Sequence, residues 1–186
     1  RIFGFLGSPG PFLVGGALFA AGRIADEPRL VRLAAHGSTA MLASLVATGV
    51  LKTTLGRARP SVSADTNPRD FRLFRGWTAD AYQAFPSGHA ALAFALAAAT
   101  TAEIDTWNRD ATWFTAPLLY GGATLVGLSR MYEDRHWPTD ILAGAAIGTL
   151  AGVKAVRFSR TPTGRRLDRR LIGDDAQLRI GYLVRW

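Results

Sequence analysis

Five long stretches without Lys, Arg, Asp or Glu run through this 186-residue chain, and they constrain its fold more than any other feature. They are rich in alanine and glycine and lie at residues 2–22, 33–51, 84–102, 111–129 and 141–153. None alternates apolar and polar residues over any length, as a half-buried strand would. The sequence therefore predicts an all-α helical bundle of about five to six helices, with the polar segment 61–83 as a long surface loop.

The amino-acid composition excludes several classes of protein and of functional site. The chain has no cysteine, which excludes a disulfide scaffold, a thiolate metal site and a thiol nucleophile. The formal net charge is +8, and residues 157–186 contribute eight Arg and three Asp to it. We predict a helical domain over residues 1–156 and a basic C-terminal tail over 157–186, with a possible short strand at 178–185. A solvated tail is the preferred interpretation, and no nucleic-acid partner is predicted.

The apolar stretches are close to the length that a membrane-spanning helix needs. Spanning a bilayer takes about 20 apolar residues. Three of the five stretches are 19 residues long, and the longer stretch 2–22 is interrupted by Gly7-Ser8-Pro9-Gly10-Pro11. Trp107 and Trp113 flank one connection, while Trp77 and Trp137 lie in connections at the other end, as in interfacial aromatic belts. A soluble bundle with tryptophans packed at its ends is the alternative. We favour the integral membrane protein over the soluble one and expect membrane association.

His136 and Asp140 form the first candidate for chemistry. Pro138 is a good first helical residue, so Asp140 falls in the first turn of a helix and can reach back to the His136 ring. A carboxylate on one imidazole nitrogen fixes the tautomer and leaves the other nitrogen free to attack. An ordinary loop histidine beside an N-terminal helix carboxylate is the structural alternative.

A second candidate is the segment Pro86-Ser87-Gly88-His89. Ser87 is a good N-cap, Gly88 permits close backbone approach, and free N–H groups at a helix start attract anions. His89 lies in the first turn over the same spot, where it could donate a proton to a leaving oxygen. A routine helix cap explains the same residues without function.

Three cations complete the pattern, namely Lys52, Arg59 and Arg130. Each lies at the end of an apolar helix, where dipole compensation or snorkelling would also explain it. Short connections between antiparallel helices nevertheless bring them to the same end of the bundle as both histidines. The sequence therefore predicts a phosphate site with a nucleophile and an acid at that end.

These segments resemble the signature of the type 2 phosphatidic acid phosphatase (PAP2) superfamily. Eleven residues match it in order: Lys52, Arg59, Pro60, Pro86, Ser87, Gly88, His89, Ser129, Arg130, His136 and Asp140. The resemblance implies that His136 is the nucleophile forming a phosphohistidine, that Asp140 orients it, and that His89 protonates the leaving group and later activates water. It implies that Lys52, Arg59, Ser87, Gly88 and Arg130 hold the phosphate. It also implies hydrolysis without a metal or another cofactor.

The resemblance favours a phosphatase acting on phosphomonoesters or diphosphates, with a phosphorylated lipid or a small phosphate ester as partner. Phosphatidate, phosphatidylglycerol phosphate and a polyprenyl diphosphate are the lipid candidates. A vanadium-dependent haloperoxidase, and a binding or transport protein on the same fold, are the alternatives. Glu133, Asp134 and Arg135 make a more polar rim than integral members often have. Integral bacterial members typically have six helices, so we expect either a further N-terminal helix or a soluble or peripheral member.

The expected location is the bacterial cell envelope. Lys154 and the arginines after it lie beyond the end opposite the predicted site, and the positive-inside rule places that end in the cytoplasm. The catalytic face would then be periplasmic or extracellular. Arg69, Arg72 and Arg75 in the loop at the other end weaken this bias.

Overall fold

The computed structural model describes residues 10–63 and 66–173, and the predicted all-α fold is confirmed within them. Six helices follow one another: α1 Gly10–Ile24, α2 Pro28–Leu55, α3 Gly88–Trp107, α4 Thr112–Tyr132, α5 Pro138–Ser159 and α6 Pro162–Ile172. In these residues the strand-like pairing is limited to an isolated bridge between Arg57 and Phe71. The strand predicted at 178–185 lies outside the described residues.

Helix α3 is the centre of the bundle, because it packs against α2, α4 and α5, most extensively against α5. The contact with α5 uses glycines spaced one turn apart, Gly144, Gly148 and Gly152, which are all buried. A Cβ at Gly148 would overlap the Ala91 carbonyl, and one at Gly152 would lie 2.6 Å from the Ala95 carbonyl oxygen. The two backbones therefore meet without intervening side chains, as in close helix pairs of membrane proteins.

The end of α2 directs the chain back across the bundle. Gly56 follows the helix in the left-handed conformation, at φ 54°, and its N–H donates to the Lys52 carbonyl. A Cβ there would overlap the Arg72 carbonyl, so glycine suits both the turn and the close approach. The chain leaves α2 sharply, which returns Arg57 and Arg59 to the same end of the bundle as Lys52.

The predicted surface loop is part of the α2–α3 linker, and it folds over the end of α2. Its described residues include the short 3-10 turns Pro60–Val62, Arg75–Trp77 and Asp80–Tyr82. The Phe74 N–H donates to the Thr54 carbonyl at 2.6 Å, and Arg75 Nη2 donates to the Gly56 carbonyl at 3.0 Å. These bonds hold the linker against the helix end, where the candidate site lies.

The basic segment after residue 156 begins as part of the bundle. Helix α5 continues to Ser159, and α6 folds back to pack against α5 and α2. Arg23 Nη1 donates to the Ile172 carbonyl at 2.9 Å, which ties the end of α6 to the end of α1. The division of the chain at residue 156 stays a prediction.

Much of the outer surface is apolar. Two helices of the described part, α2 and α5, are long and apolar enough to cross a membrane by length and composition. Large apolar side chains point outward on α1, α2, α4 and α5. They include Leu13, Leu42, Val46, Val50, Trp113, Phe114, Leu118, Leu125, Leu142 and Leu150. The buried apolar core thus consists mostly of alanines, whereas many of the large apolar residues face outward.

Candidate active site

A cavity of about 450 Å³ opens at the end of the bundle where α2 ends and α3 and α5 begin. It collects most of the residues that the sequence singled out. Its lining includes Lys52, Arg59, Gly88, His89, Arg130 and His136. Ser87 and Asp140 are fully buried behind it. Four different helices and two linkers therefore bring the predicted residues together, although they lie as far apart as positions 52 and 140.

His136 is the best-anchored side chain of this cavity. It lies in the short linker before α5 and is 5% exposed. Its Nδ1 donates to the Ala84 carbonyl at 2.7 Å, whereas Asp140 Oδ2 is 3.6 Å from the same nitrogen. With Nδ1 bound in this way, Nε2 is the nitrogen without a proton and is available for attack. The predicted carboxylate neighbour is present, but the shorter bond is to a backbone carbonyl.

The Asp140 carboxylate accepts a hydrogen bond on each of its two oxygens. The Trp137 N–H donates to its Oδ2 at 2.7 Å, and Arg57 Nη1 donates to its Oδ1. Its own carbonyl accepts from the Ser87 N–H at 2.9 Å, which fastens the start of α5 to the start of α3. The carboxylate position is thus fixed by the helix start and by one buried arginine.

Arg57 is the functional residue that the sequence reasoning missed. Its side chain is 4% exposed, and its guanidinium lies 4.8 Å from the Phe71 ring centroid and 5.5 Å from the Trp137 ring centroid. Its main-chain carbonyl accepts from the Ala84 N–H at 3.1 Å. Arg57 therefore holds both acceptors near His136 Nδ1, Asp140 with its side chain and Ala84 with its backbone. The position of Arg57 between Lys52 and Arg59 in the sequence could have indicated its role. The role of the Ala84 carbonyl could not be predicted from sequence, because every residue type has a backbone carbonyl.

The three predicted cations each have a partner in the unliganded cavity. Lys52 Nζ donates to the Gln83 carbonyl at 2.5 Å. Arg59 Nη2 donates to Asp80 Oδ1 at 2.7 Å, and Arg130 Nη2 donates to Glu133 Oε1 at 2.8 Å. Asp80 and Glu133 are themselves largely exposed, so these ion pairs are weak. A phosphate dianion can therefore replace both carboxylates.

Arg59 carries a more direct indication of an anion. Its Nε atom is buried and has no hydrogen-bond partner among the described residues. Buried donors are rarely left unpaired, because losing water without gaining a partner costs about 1–3 kcal/mol. An anion in the cavity beside Arg59 would satisfy this donor.

The start of α3 supplies backbone donors. Ser87 is the N-cap, and its Oγ accepts from the Ala90 N–H at 3.4 Å. Gly88 and His89 are the first helical residues, so their N–H groups have no intrahelical acceptor, and both residues line the cavity. The Ser87 hydroxyl is buried as part of the cap, while Gly88 presents its backbone to the cavity.

Burial and charge set the protonation of the two histidines. Burial lowers the pKa of His136 below its ordinary value of 6.5, against the opposing effect of Asp140. Burial, followed by the charges of Arg130 and other nearby cations, lowers the pKa of His89 to about 4. Both rings are therefore neutral at pH 7 in the unliganded protein. A neutral His136 is a nucleophile, whereas His89 needs a bound anion or an incoming proton to act as an acid.

Cations and backbone donors, rather than a ligand set for a metal, surround the cavity. Within the described residues no group of three His, Asp or Glu side chains is placed to hold a metal ion. The lining can instead meet the charge of a phosphate through lysine and arginine, with one histidine available for attack and another beside it. Such a site belongs to the class of phosphoric ester hydrolases.

The family follows from comparison with known proteins. The family model described as the PAP2 superfamily matches residues 34–163, and the chain belongs to this superfamily. The resemblance drawn from the three motifs is thereby confirmed. No solved structure matches the chain.

Three relatives show which proteins this chain is similar to. A lipid A 1-phosphatase of Rhizobium etli is 30% identical over 74% of this chain and 58% of its own length. A lipid A 1-phosphatase of Porphyromonas gingivalis is 39% identical over 45% of this chain and 19% of its own length. A probable lipid phosphate phosphatase beta of Arabidopsis thaliana is 29% identical over 64% of this chain and 62% of its own length. The chain thus spans less than two thirds of each of these relatives.

Proposed function

We propose that this protein is a membrane-associated phosphatase that removes a phosphate group from a lipid through a phosphohistidine. The observation that carries the proposal is the cavity in which His136, fixed through Nδ1, meets Lys52, Arg59 and Arg130. The three cations and the Gly88 backbone would hold the phosphoryl oxygens and stabilise the charge of the transition state. The relatives named for lipid A and for lipid phosphate support a lipid substrate.

The reaction would proceed in two displacements. In the first, His136 Nε2 forms a bond to phosphorus, the bond from phosphorus to the ester oxygen breaks, and that oxygen leaves with a proton that His89 has taken from the phosphate monoanion. In the second, a water oxygen attacks the phosphohistidine while His89 takes one of its protons. The nitrogen–phosphorus bond then breaks, which releases inorganic phosphate and regenerates His136. Asp140 and the Ala84 carbonyl would favour the ring as it becomes positively charged.

The apolar part of the cavity supports a lipid. Leu45 and Leu92 line it alongside the polar residues. Leu45 is also 37% exposed on the outer face of α2, next to the exposed Leu42 and Val46. The cavity wall is therefore continuous with the apolar outer surface, so an acyl chain could lie outside the bundle while its phosphate reaches His136.

The test separates the two histidines. We expect His136→Ala to abolish turnover of every ester, because it removes the attacking nitrogen. We expect His89→Ala to lose about 10²–10⁴-fold with an alkyl phosphate, whose leaving oxygen needs a proton. With a nitrophenyl phosphate, whose anion leaves without one, His89→Ala should still form phosphoenzyme and accumulate it, because the water step is slowed. Rapid-quench measurement of nitrophenol release and of phosphate-labelled protein distinguishes these cases. A rapid initial burst of nitrophenol release from His136→Ala would show that the roles are assigned wrongly. Equal loss of this burst in both variants would show the same.

A further inference from the structure

A second cavity lies at the opposite end of the bundle from His136. It measures about 710 Å³ and is bounded by the beginning of α2, the ends of α3 and α5, and helix α6. None of the proposed catalytic or phosphate-binding residues lines it. It is thus a separate feature that the phosphatase chemistry does not use.

Arginines dominate the wall of this cavity. Arg32 comes from α2, Arg160 from the link after α5, and Arg165 and Arg169 from α6. Two carboxylates, Glu103 and Asp168, also line it, but both face His36. The His36 Nδ1 is 2.6 Å from Glu103 Oε1, and its Nε2 is 3.3 Å from Asp168 Oδ2. Four guanidinium groups against two carboxylates leave a positive excess around an open volume, which suits an anion.

Helix α6 indicates where that anion would come from. It begins directly after α5, one of the two helices apolar enough to cross a membrane. Leu167 and Leu171, one turn apart on α6, are both exposed, and arginines occupy the other faces of the helix. An exposed apolar stripe flanked by arginines is the pattern of a helix that lies in the headgroup region of a bilayer. The cavity under α6 would then lie at the depth of lipid phosphates.

We propose that this cavity binds the phosphate group of an anionic phospholipid, with Arg165 and Arg169 of α6 as its main contacts. The proposal rests on the membrane association in the proposed function and is independent of the phosphatase mechanism. Guanidinium groups form charge-assisted, bidentate hydrogen bonds with phosphate oxygens. The site should therefore select lipids whose headgroup carries a net negative charge.

Helix α6 provides a matched control for the test. Arg165 and Arg169 line the cavity, whereas Arg166 and Arg170 do not, and all four are exposed on the same helix. R165Q/R169Q and R166Q/R170Q therefore remove the same charge from the same helix. Native mass spectrometry of the full chain in detergent, titrated with phosphatidylglycerol or phosphatidylcholine, gives the affinity for the first bound lipid.

We expect the unsubstituted protein to prefer phosphatidylglycerol, R165Q/R169Q to lose roughly tenfold or more of that affinity, and R166Q/R170Q to keep it. Equal loss in both double variants, or loss in neither, would overturn the proposal, because the effect would then be general surface charge or absent. Displacement of the lipid by inorganic phosphate at the same concentration would also overturn it, in favour of a soluble ligand. Hydrolysis of a soluble phosphate ester, measured on the same three samples, reports separately on the proposed phosphatase activity.

Discussion

Arg57 shows how a residue that does not line the cavity can position the side chains that do. It pairs with Asp140, which is completely buried, and both side chains are withdrawn from water. Removing one member of a buried ion pair leaves the other charge without compensation, which typically costs about 3–5 kcal/mol. Arg57 therefore couples the stability of the linker to the orientation of His136.

We expect Arg57→Met and Asp140→Asn each to destabilise the protein by about 3–5 kcal/mol, and the double variant to be destabilised by clearly less than the sum. Phosphoenzyme formation should stay slow in the double variant, since the carboxylate beside His136 Nδ1 is then missing, although the Ala84 carbonyl is still held by the main chain of residue 57. Denaturation in detergent and rapid-quench kinetics provide the two readouts. Additivity of the two free energies within about 0.5 kcal/mol would mean that the residues do not act as a pair.

The lowered pKa values of the two histidines predict an acidic optimum. Burial lowers the pKa of His136 from its ordinary value of 6.5, so the neutral, nucleophilic ring extends to lower pH than in a free imidazole. His89, with a pKa of about 4, is neutral above that pH and is therefore not the imidazolium that an acid requires. The proton that His89 passes to the leaving oxygen must then enter with the substrate monoanion, which loses it near a pKa of about 6.

For an alkyl phosphate, kcat/KM should accordingly fall as the pH rises above about 6. Measuring kcat/KM from acidic to alkaline pH at constant ionic strength checks this. An increase of kcat/KM through pH 7 would instead require His89 to gain its proton from solvent after the dianion has bound.

The sequence predicts most side chains of this site and fewer of the bonds that hold them. Motif spacing identified the cavity-lining cations and histidines because their chemistry restricts residue type. It did not identify Arg57, because an arginine in a linker is ordinarily solvated, and only the fold shows that this one is buried. The bond from His136 to Ala84 was also missed, since a backbone carbonyl has no residue type to recognise.

Among the secondary-structure elements, the pair α3 and α5 depends on close backbone contact. We expect Gly148→Ala to destabilise the bundle by about 1–3 kcal/mol, because the added methyl group overlaps the Ala91 carbonyl and neither backbone can easily move. The matched control is Gly121→Ala in α4, where an added Cβ meets nothing within 4 Å. That substitution should be neutral or stabilising by up to about 1 kcal/mol, since alanine favours a helix over glycine.

Thermal unfolding of both variants in the same detergent measures the difference. Equal stability of Gly148→Ala and Gly121→Ala would show that α3 and α5 adjust their distance freely. Such adjustment would also loosen the Ser87 bond to Asp140, and phosphoenzyme formation would reveal it.

Uncharged stretches located the first five helices well and their ends less well. Helix α2 starts at Pro28, before the stretch that begins at residue 33, because Glu27 caps it and arginines are tolerated on its outer side. Helix α6 was not predicted, because an arginine-rich segment resembles a solvated tail. Its helical form is explained by Thr161, which caps it, and by its packing on α2 and α5.

For the whole molecule, the arrangement of small residues inside and large apolar residues outside predicts behaviour in cell fractions. We expect the protein to remain with membranes after washing in high salt and alkaline carbonate, because apolar burial is not weakened by ionic screening. Immunoblotting of pellet and supernatant checks this. Release by salt alone would indicate a peripheral protein that is held by its arginines.

Leu45 faces the cavity and the outside of the bundle at once, and this has a kinetic consequence. A substrate dissolved in the bilayer would approach His136 sideways along α2, so its encounter rate would follow its surface density and not its amount per volume of water. Diluting a long-chain lipid phosphate with inert lipid, at constant bulk concentration, should then lower the rate. Leu45→Asn should impair a long-chain substrate more than a short-chain one, whereas Leu42→Asn, outside the cavity, should not discriminate between them. The reaction rate would thus depend on the mole fraction of the substrate in the membrane.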